Sequence, residues 1–349
     1  MIKRKLLFSF TIVENENQNT MSEKLQDTTR VINDVIQKFI SVSILLFVVN
    51  FSFSFSMRLR FRAGHYKFQH SCKPCSLATI IRNKSMTMIK IVKTILLKVI
   101  IKILSKIRNQ DIWENIFQLS LSEMNFGNGG DFSQSGELFV AKFIQSKLEK
   151  EPLIIIFDVG ANIGGYSKAM SDIFKANSKI FSFEPSKKTF DLFLEKTKNC
   201  NNIIPNNFGF SDKEYNQVLF TNSEGSGLAS VYQRKLDHFG INMNKTEEIK
   251  LTTIDTYCAE NKIERIHFLK LDIEGHELNA LNGAKKLIND KKIDFIQFEF
   301  GGCNIDSRTY FQDFYYFLKD NYNIYRVLKN GIYELSTYKE TYEIFITIN

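Results

Sequence analysis

The residues richest in usable chemistry lie in one run, His267-Phe-Leu-Lys270-Leu-Asp272-Ile-Glu274-Gly275-His276-Glu277. It begins as a hydrophobic strand and ends in a crowd of charges, and buried charges cost free energy unless they are paired or used. Asp272 is placed at the strand's carboxyl end to face a reacting group, with Glu274 two positions on. His276, with an ordinary pKa near about 6.5, is the natural group to take a proton from a hydroxyl. The competing reading of His276 is a helix-start residue packed on its own loop. Glu299, in Phe298-Glu299-Phe300, ends a neighbouring strand at a similar level. A divalent cation between Asp272 and Glu299 is admissible there, although it is not the favoured reading.

A second constellation lies upstream, in Ile154-Ile-Ile-Phe-Asp158-Val-Gly160-Ala-Asn162-Ile-Gly164-Gly165. The unbroken apolar run suits a strand buried on both faces, and the glycines follow at once. Gly160 permits a tight turn and a close approach to a ligand, while Gly164 or Gly165 lets the next helix pack against the strand. Dinucleotide sites carry glycine at the middle position so that backbone can reach a pyrophosphate; here that position is Asn162. S-adenosylmethionine carries no phosphate and tolerates the carboxamide, and Asp158 is expected to hold its cationic amino-acid end. Glu184, 26 positions after Asp158, ends the next strand, where a carboxylate can accept from both hydroxyls of a ribose. Asp212, after the third strand, is expected to meet an exocyclic adenine amine, with a simple turn residue as the bland alternative.

Positioning these groups requires alternating strands and helices. The hydrophobic pattern predicts helices over 137–149, 164–176, 187–198, 276–289 and 309–320, and strands over 153–158, 179–183, 202–206, 266–272 and 293–299. Two closing strands are expected near 323–328 and 342–348. The pattern predicts an α/β domain with a doubly wound, mainly parallel sheet, and ligands in such sheets bind beyond the carboxyl ends of the strands.

The runs FDVGANIGGYS, FEP, TTIDTYC (252–258), FLKLDIEGHE and FEF together resemble the FkbM family of S-adenosylmethionine-dependent methyltransferases, over roughly residues 135–349. Upstream, the stretch from Asn125 to Gly136 and Glu137 is similar to the N-terminal entry of bacterial members. The resemblance implies the Rossmann-like class I fold with a seven-stranded sheet. It also implies O-methylation of a hydroxyl, commonly of a sugar in a surface polysaccharide or of a secondary metabolite. Carried over by position, Asp158, Gly160, Asn162 and Glu184 would hold the cofactor, and Asp272, Glu274 and His276 would line the reaction centre.

Charge divides the chain. Residues 1–110 hold 19 Lys and Arg against 5 Asp and Glu, a net +14, and the remainder holds 27 against 33, a net −6. A basic leader on a mildly acidic domain suits a polyanion or membrane surface for the first and an ordinary enzyme for the second. The domain organisation expected is a leader over 1–85, a basic amphipathic helix over 86–110 and a methyltransferase domain over 111–349. Within the leader, 39–57 is uncharged and long enough to cross a bilayer, though its Phe-Ser alternation also reads as a strand. By the positive-inside rule the arginines and lysines after it are expected to keep the domain in the cytoplasm, at the cytoplasmic face of a membrane where the stretch spans one. Residues 88–108 space five lysines among Ile, Leu and Val, as an interfacial helix does, or as a packing helix with a solvated lysine face. Cys72-Lys-Pro-Cys75 resembles half a zinc site but lacks a second ligand pair, so no metal is assigned.

Nucleic acid is an unlikely partner for an acidic domain without an Asn-Pro-Pro-type loop: the four prolines are nowhere adjacent. Asn162 argues against a nicotinamide-dependent oxidoreductase. A membrane-tethered binding protein that keeps the cofactor fold without catalysis is the alternative from another class; it would retain cofactor affinity and transfer no methyl to any hydroxyl.

Overall fold

In the computed structural model the described residues are 4–9, scattered positions from 94 to 106, and 108–345 without 128–131, 133 and 134. The stretch 39–57 and the Cys72/Cys75 pair lie outside them. Two compact units are present, one comprising residues 1–14 and 119–349 and the other residues 15–118. Among the described residues no helix is long and apolar enough to cross a membrane. In the second unit the described positions between 94 and 102 are helical, with Ile95, Val99 and Ile101 exposed.

The larger unit is built on one sheet. Its members are β1 (Arg4–Ser9), β2 (Ile154–Val159), β3 (Ser178–Phe183), β4 (Ile203–Asn206), β8 (Ile266–Leu271), β9 (Ile293–Glu299), β10 (Tyr322–Leu328) and β11 (Gly331–Glu334). The order is β11-β10-β1-β9-β8-β2-β3-β4, parallel throughout except for β11. The α/β, doubly wound architecture is as expected, but the sheet has eight strands rather than seven. Arg4–Ser9 enters it between β9 and β10, and β11 adds an antiparallel edge. The expected closing strand at 342–348 is not seen: Glu340–Tyr342 is a 3-10 turn, and 346–349 lie outside the described residues.

Both faces of the sheet are covered, and the two-residue period of a strand sorts the side chains between them. Ile154, Ile156, Ile180 and Phe268 pack with Val140 and Ile144 of α2 (Glu137–Lys147) and Met170 and Phe174 of α3 (Gly165–Phe174). These follow a first helix, α1 (Gln110–Glu123), which buries Leu121. Phe157, Val159, Phe183, Leu269, Leu271 and Phe298 face the opposite layer. It includes α5 (Ile254–Glu260), α6 (Glu277–Asn282), α7 (Lys285–Asn289) and α9 (Phe311–Leu318), while α4 (Lys187–Thr197) follows β3 and α8 (Cys303–Ser307) follows β9. Fully burying one such aromatic side chain contributes roughly 1.5–3 kcal/mol.

The helix expected over 276–289 is broken into α6 and α7. A Cβ at Gly283 would lie 2.0 Å from the Ser211 carbonyl oxygen, so the chain passes too close there for any side chain. The stretch between β4 and β8, irregular by sequence, holds a second sheet of β5 (Gly209–Phe210), β7 (Lys245–Thr252) and β6 (Tyr215–Thr221) in that order. Aromatic packing supports its base: the Phe183 ring lies 4.5 Å from Phe210 and 5.1 Å from Tyr257. Pairs like these add about 0.5–1.5 kcal/mol each beyond burial.

Candidate functional site

The strand order reverses between β2 and β8, which pair directly with Asp158 opposite Lys270 and Val159 opposite Leu271. Beyond their carboxyl ends the chain turns twice in contact. At Gly160 φ is +86°, and a Cβ would stand 1.8 Å from the Asp272 carbonyl oxygen. Only glycine lets the two turns touch, and the Asp272 N–H donates to the Val159 carbonyl at 2.9 Å. A cleft of about 680 Å³, part of it open to solvent, lies over this junction.

Gly160, Asn162, Glu184, Asp272, Glu274 and His276 all line that cavity, so six of the nine residues expected in the site are brought together. The other three are not. Asp158 shares a strand face with Ile154 and Ile156, which points it beneath α3, where its carboxylate accepts from Ser167 Oγ at 2.5 Å and is wholly buried. It stands outside the lining of the cavity, with its other oxygen buried and without a hydrogen-bond partner. Gly164 caps α3 and packs on Phe193 and Thr197 of α4. Asp212 is bonded by the Ser211 hydroxyl at 3.0 Å and stands outside the lining.

Glu184 is buried and bound by two backbone donors, the N–H of Asn162 at 3.0 Å and that of Ser186 at 2.9 Å. Burial pushes its pKa up to about 7 against the opposing pull of those two N–H groups. Next to it, the Asn162 side-chain oxygen is buried without a hydrogen-bond partner, an acceptor that a ligand donor can satisfy. The far wall is apolar: Pro185, Phe210, Leu219, Ala229, Val231, Ile249 and Leu251, mostly from the small sheet.

His276 is committed. Its Nδ1 lies 2.9 Å from the Tyr232 hydroxyl and its Nε2 2.9 Å from Ser211 Oγ, and burial lowers its pKa to about 4. The ring is neutral near pH 7 and clamped on both nitrogens; it ties Tyr232 to the site, and a general-base role would require breaking one of these bonds. Glu274 is likewise engaged, by Arg234 Nη1 at 2.6 Å, and its backbone carbonyl accepts from Ser230 Oγ at 2.7 Å. Burial raises the Glu274 pKa well above the carboxylate range even with Arg234 beside it. These contacts pin residues 230–234 to the turn after β8, and Ser226, Gly227, Ala229 and Val231 of the same loop line the cavity.

Asp272 differs. Its side chain remains 28% exposed, and one oxygen receives Lys270 Nζ at 2.8 Å. Burial disfavours the Lys270 charge, yet Asp272, Glu137, Asp158 and Glu299 outweigh it and hold the ammonium well above its ordinary pKa. Glu137, on α2, lies 4.0 Å from Lys270 Nζ and is fixed by Gln297 Nε2 at 3.0 Å and Ser135 Oγ at 3.2 Å. Among the described residues no group of His, Cys, Asp and Glu is arranged to hold a metal ion.

The lining charges decide what fits. Glu184, Asp272 and Glu274 are the acidic residues on the cavity, and no Lys or Arg is among its lining. An acid-lined cavity suits a cation and repels a pyrophosphate. Residues 158–325 match the model of the methyltransferase FkbM domain. Over that span the chain is similar to the FkbM methyltransferase domain. The matched region holds every cavity-lining residue, whereas Glu137 precedes it. The chain is also similar to the hexuronic acid methyltransferase AglP of Haloferax volcanii, 27% identical over 167 residues, which are 48% of this chain and 64% of that protein's length.

Sequence reasoning missed Tyr232, Arg234 and most of the apolar wall, which apart from Pro185 lie in the irregular stretch between 208 and 251.

Proposed function

We propose that this protein is an S-adenosylmethionine-dependent O-methyltransferase acting on a hydroxyl group, with a sugar of a surface glycan or a secondary metabolite as acceptor. The observation that carries the reading is the cavity at the β2/β8 junction, acidic at one end and apolar at the other, inside the span similar to the FkbM domain. Glu184 is suited to the ribose, because each carboxylate oxygen keeps acceptor capacity beyond its one backbone bond. Asn162 would take a donor from the same ligand. Pro185, Phe210, Leu219 and Leu251 offer a flat apolar surface for a purine. When bound, S-adenosylmethionine supplies a methyl group on a positively charged sulfur. Asp272 is the group we assign to receive the acceptor's proton, since it is the partly exposed carboxylate of the cavity while the His276 nitrogens are both engaged. The sugar acceptor is supported by the name of the Haloferax relative.

The test is calorimetric titration of the chain with S-adenosylmethionine and separately with a nicotinamide dinucleotide, followed by labelled-methyl transfer onto a panel of glycosides. Binding of the first ligand, lost in Glu184→Ala, with label recovered on a hydroxyl, is the expected result. Binding of the dinucleotide alone would overturn the reading. Binding of S-adenosylmethionine with no transfer to any hydroxyl compound would favour a cofactor-fold binding protein.

A further inference from the structure

Lys270 stands among acids drawn from four elements, Glu137 on α2, Asp158 on β2 and Glu299 on β9, all buried, and the partly exposed Asp272 after β8. Its Nζ is 2.8 Å from Asp272 and 4.0 Å from Glu137, and it stands 4.2 Å from the centre of the Tyr166 ring. The Tyr166 hydroxyl is buried without a hydrogen-bond partner, and Glu274 with Arg234, together with Glu277, closes the group on the side of the turn after β8. Burial raises the pKa of Glu137, Asp158 and Glu299, and the Lys270 ammonium opposes that rise in all three. Asp272 alone of these acids lines the cavity, so the charge that a ligand meets there depends on how firmly Lys270 holds it.

We propose that Lys270 is a positioning residue that sets how strongly the site prefers a sulfonium over its neutral thioether product. It does so by masking the Asp272 carboxylate, and Glu137, delivered by a helix that precedes the matched FkbM segment, fixes Lys270 in that place. A naked Asp272 beside a bound cation would favour the positively charged methyl donor; a masked one levels the two ligands. The inference rests on the cofactor assignment above and adds the discrimination between cofactor and product.

S-adenosylmethionine and S-adenosylhomocysteine differ by one methyl and one charge, so the ratio of their affinities isolates the electrostatic effect from damage to the pocket. Titrating both into the full chain at pH 8 is the experiment. Lys270→Met should raise the preference for S-adenosylmethionine about ten-fold or more, since an unmasked carboxylate acts through a low dielectric. Asp272→Asn should lower it by a similar factor. Glu137→Gln, whose amide oxygen can still accept from Gln297, should lower it about three-fold by leaving the ammonium wholly to Asp272. A structural defect would weaken both ligands together and leave the ratio unmoved. An unchanged ratio in Asp272→Asn and Glu137→Gln overturns the proposal even if Lys270→Met fails to fold. A wild-type chain that binds neither ligand overturns the cofactor assignment instead, and this proposal with it.

Discussion

Glu184 sits where its protonation should be read directly in cofactor affinity. Burial, opposed by the N–H groups of Asn162 and Ser186, puts its pKa at about 7. At pH 8 roughly nine-tenths of the molecules then carry the carboxylate, and at pH 6 roughly one-tenth. If only the carboxylate accepts from both ribose hydroxyls, the Kd for S-adenosylmethionine should rise about ten-fold between pH 8 and pH 6, or about 1.4 kcal/mol. S-adenosylhomocysteine carries the same ribose and should show the same slope, which separates this effect from any titration acting on the sulfonium. Glu184→Gln should weaken binding at pH 8 by about 1.5–3 kcal/mol, the worth of a charge-assisted hydrogen bond, and should remove the slope. Isothermal titration at pH 6, 7 and 8 in buffers of matched ionic strength supplies the numbers. A flat Kd in the wild type, or the same slope surviving in Glu184→Gln, would refute the reasoning, because the ribose would then not be held by this carboxylate.

The same carboxylate links stability to pH. With a folded pKa of about 7 against 4.5 unfolded, the folded protein binds the extra proton between those values. Stability therefore falls as pH rises through that window, by roughly 3 kcal/mol from this group, and urea melts of Glu184→Gln should gain on the wild type by up to that amount from pH 4.5 to pH 8. Arg234→Met should cost about 3–5 kcal/mol, because it leaves Glu274 buried without its partner. Thermal melts should show the loss at about 2–4 °C per kcal/mol, with Arg234→Met/Glu274→Gln recovering most of it. A loss under about 1 kcal/mol would show the pair to be dispensable. Vesicle sedimentation tests the basic segment: with Ile95, Val99 and Ile101 exposed beside its lysines, the chain should bind anionic vesicles. Lys98→Ala/Lys102→Ala should weaken that binding by about 2 kcal/mol, and equal binding to neutral vesicles would refute an electrostatic attachment.

The layout of the domain was legible where periodicity was strong. The apolar runs ending at Asp158, Glu184, Lys270 and Glu299 each became a central strand, and the residues just past three of those ends meet in the cavity. A strand's end can be read from a sequence, but the face a side chain takes depends on a single step of register. Asp158 shows the cost: one position short of the turn, it falls on the α3 side with Ile156 and is removed from the ligand that its place in the motif suggested. Asp272, one position beyond its strand, is free of that constraint and reaches the cavity. The β5-β7-β6 sheet was not legible because one strand is only two residues long and another, Lys245–Thr252, breaks its alternation with the adjacent acids Glu247 and Glu248. Nor was β1, because a leader rich in lysine and arginine gives no pattern tying six of its residues to a place between two strands, the nearer in sequence some 290 positions away.

His276 and Glu274 carry the more general lesson about motifs. In the sequence they look like a reactive pair, two titratable groups two residues apart. In the structure each is matched to a partner from the irregular stretch, His276 to Tyr232 and Ser211, and Glu274 to Arg234 and Ser230. Their chemistry goes into holding the loop that forms one side of the cavity. What remains exposed to a ligand is Asp272, whose charge is governed from behind by Lys270 and Glu137. A cluster of charges in a motif thus divides into those that meet the ligand and those that build the wall around it. The division follows from which of them find partners elsewhere in the chain, and that depends on long-range packing rather than on spacing within the motif.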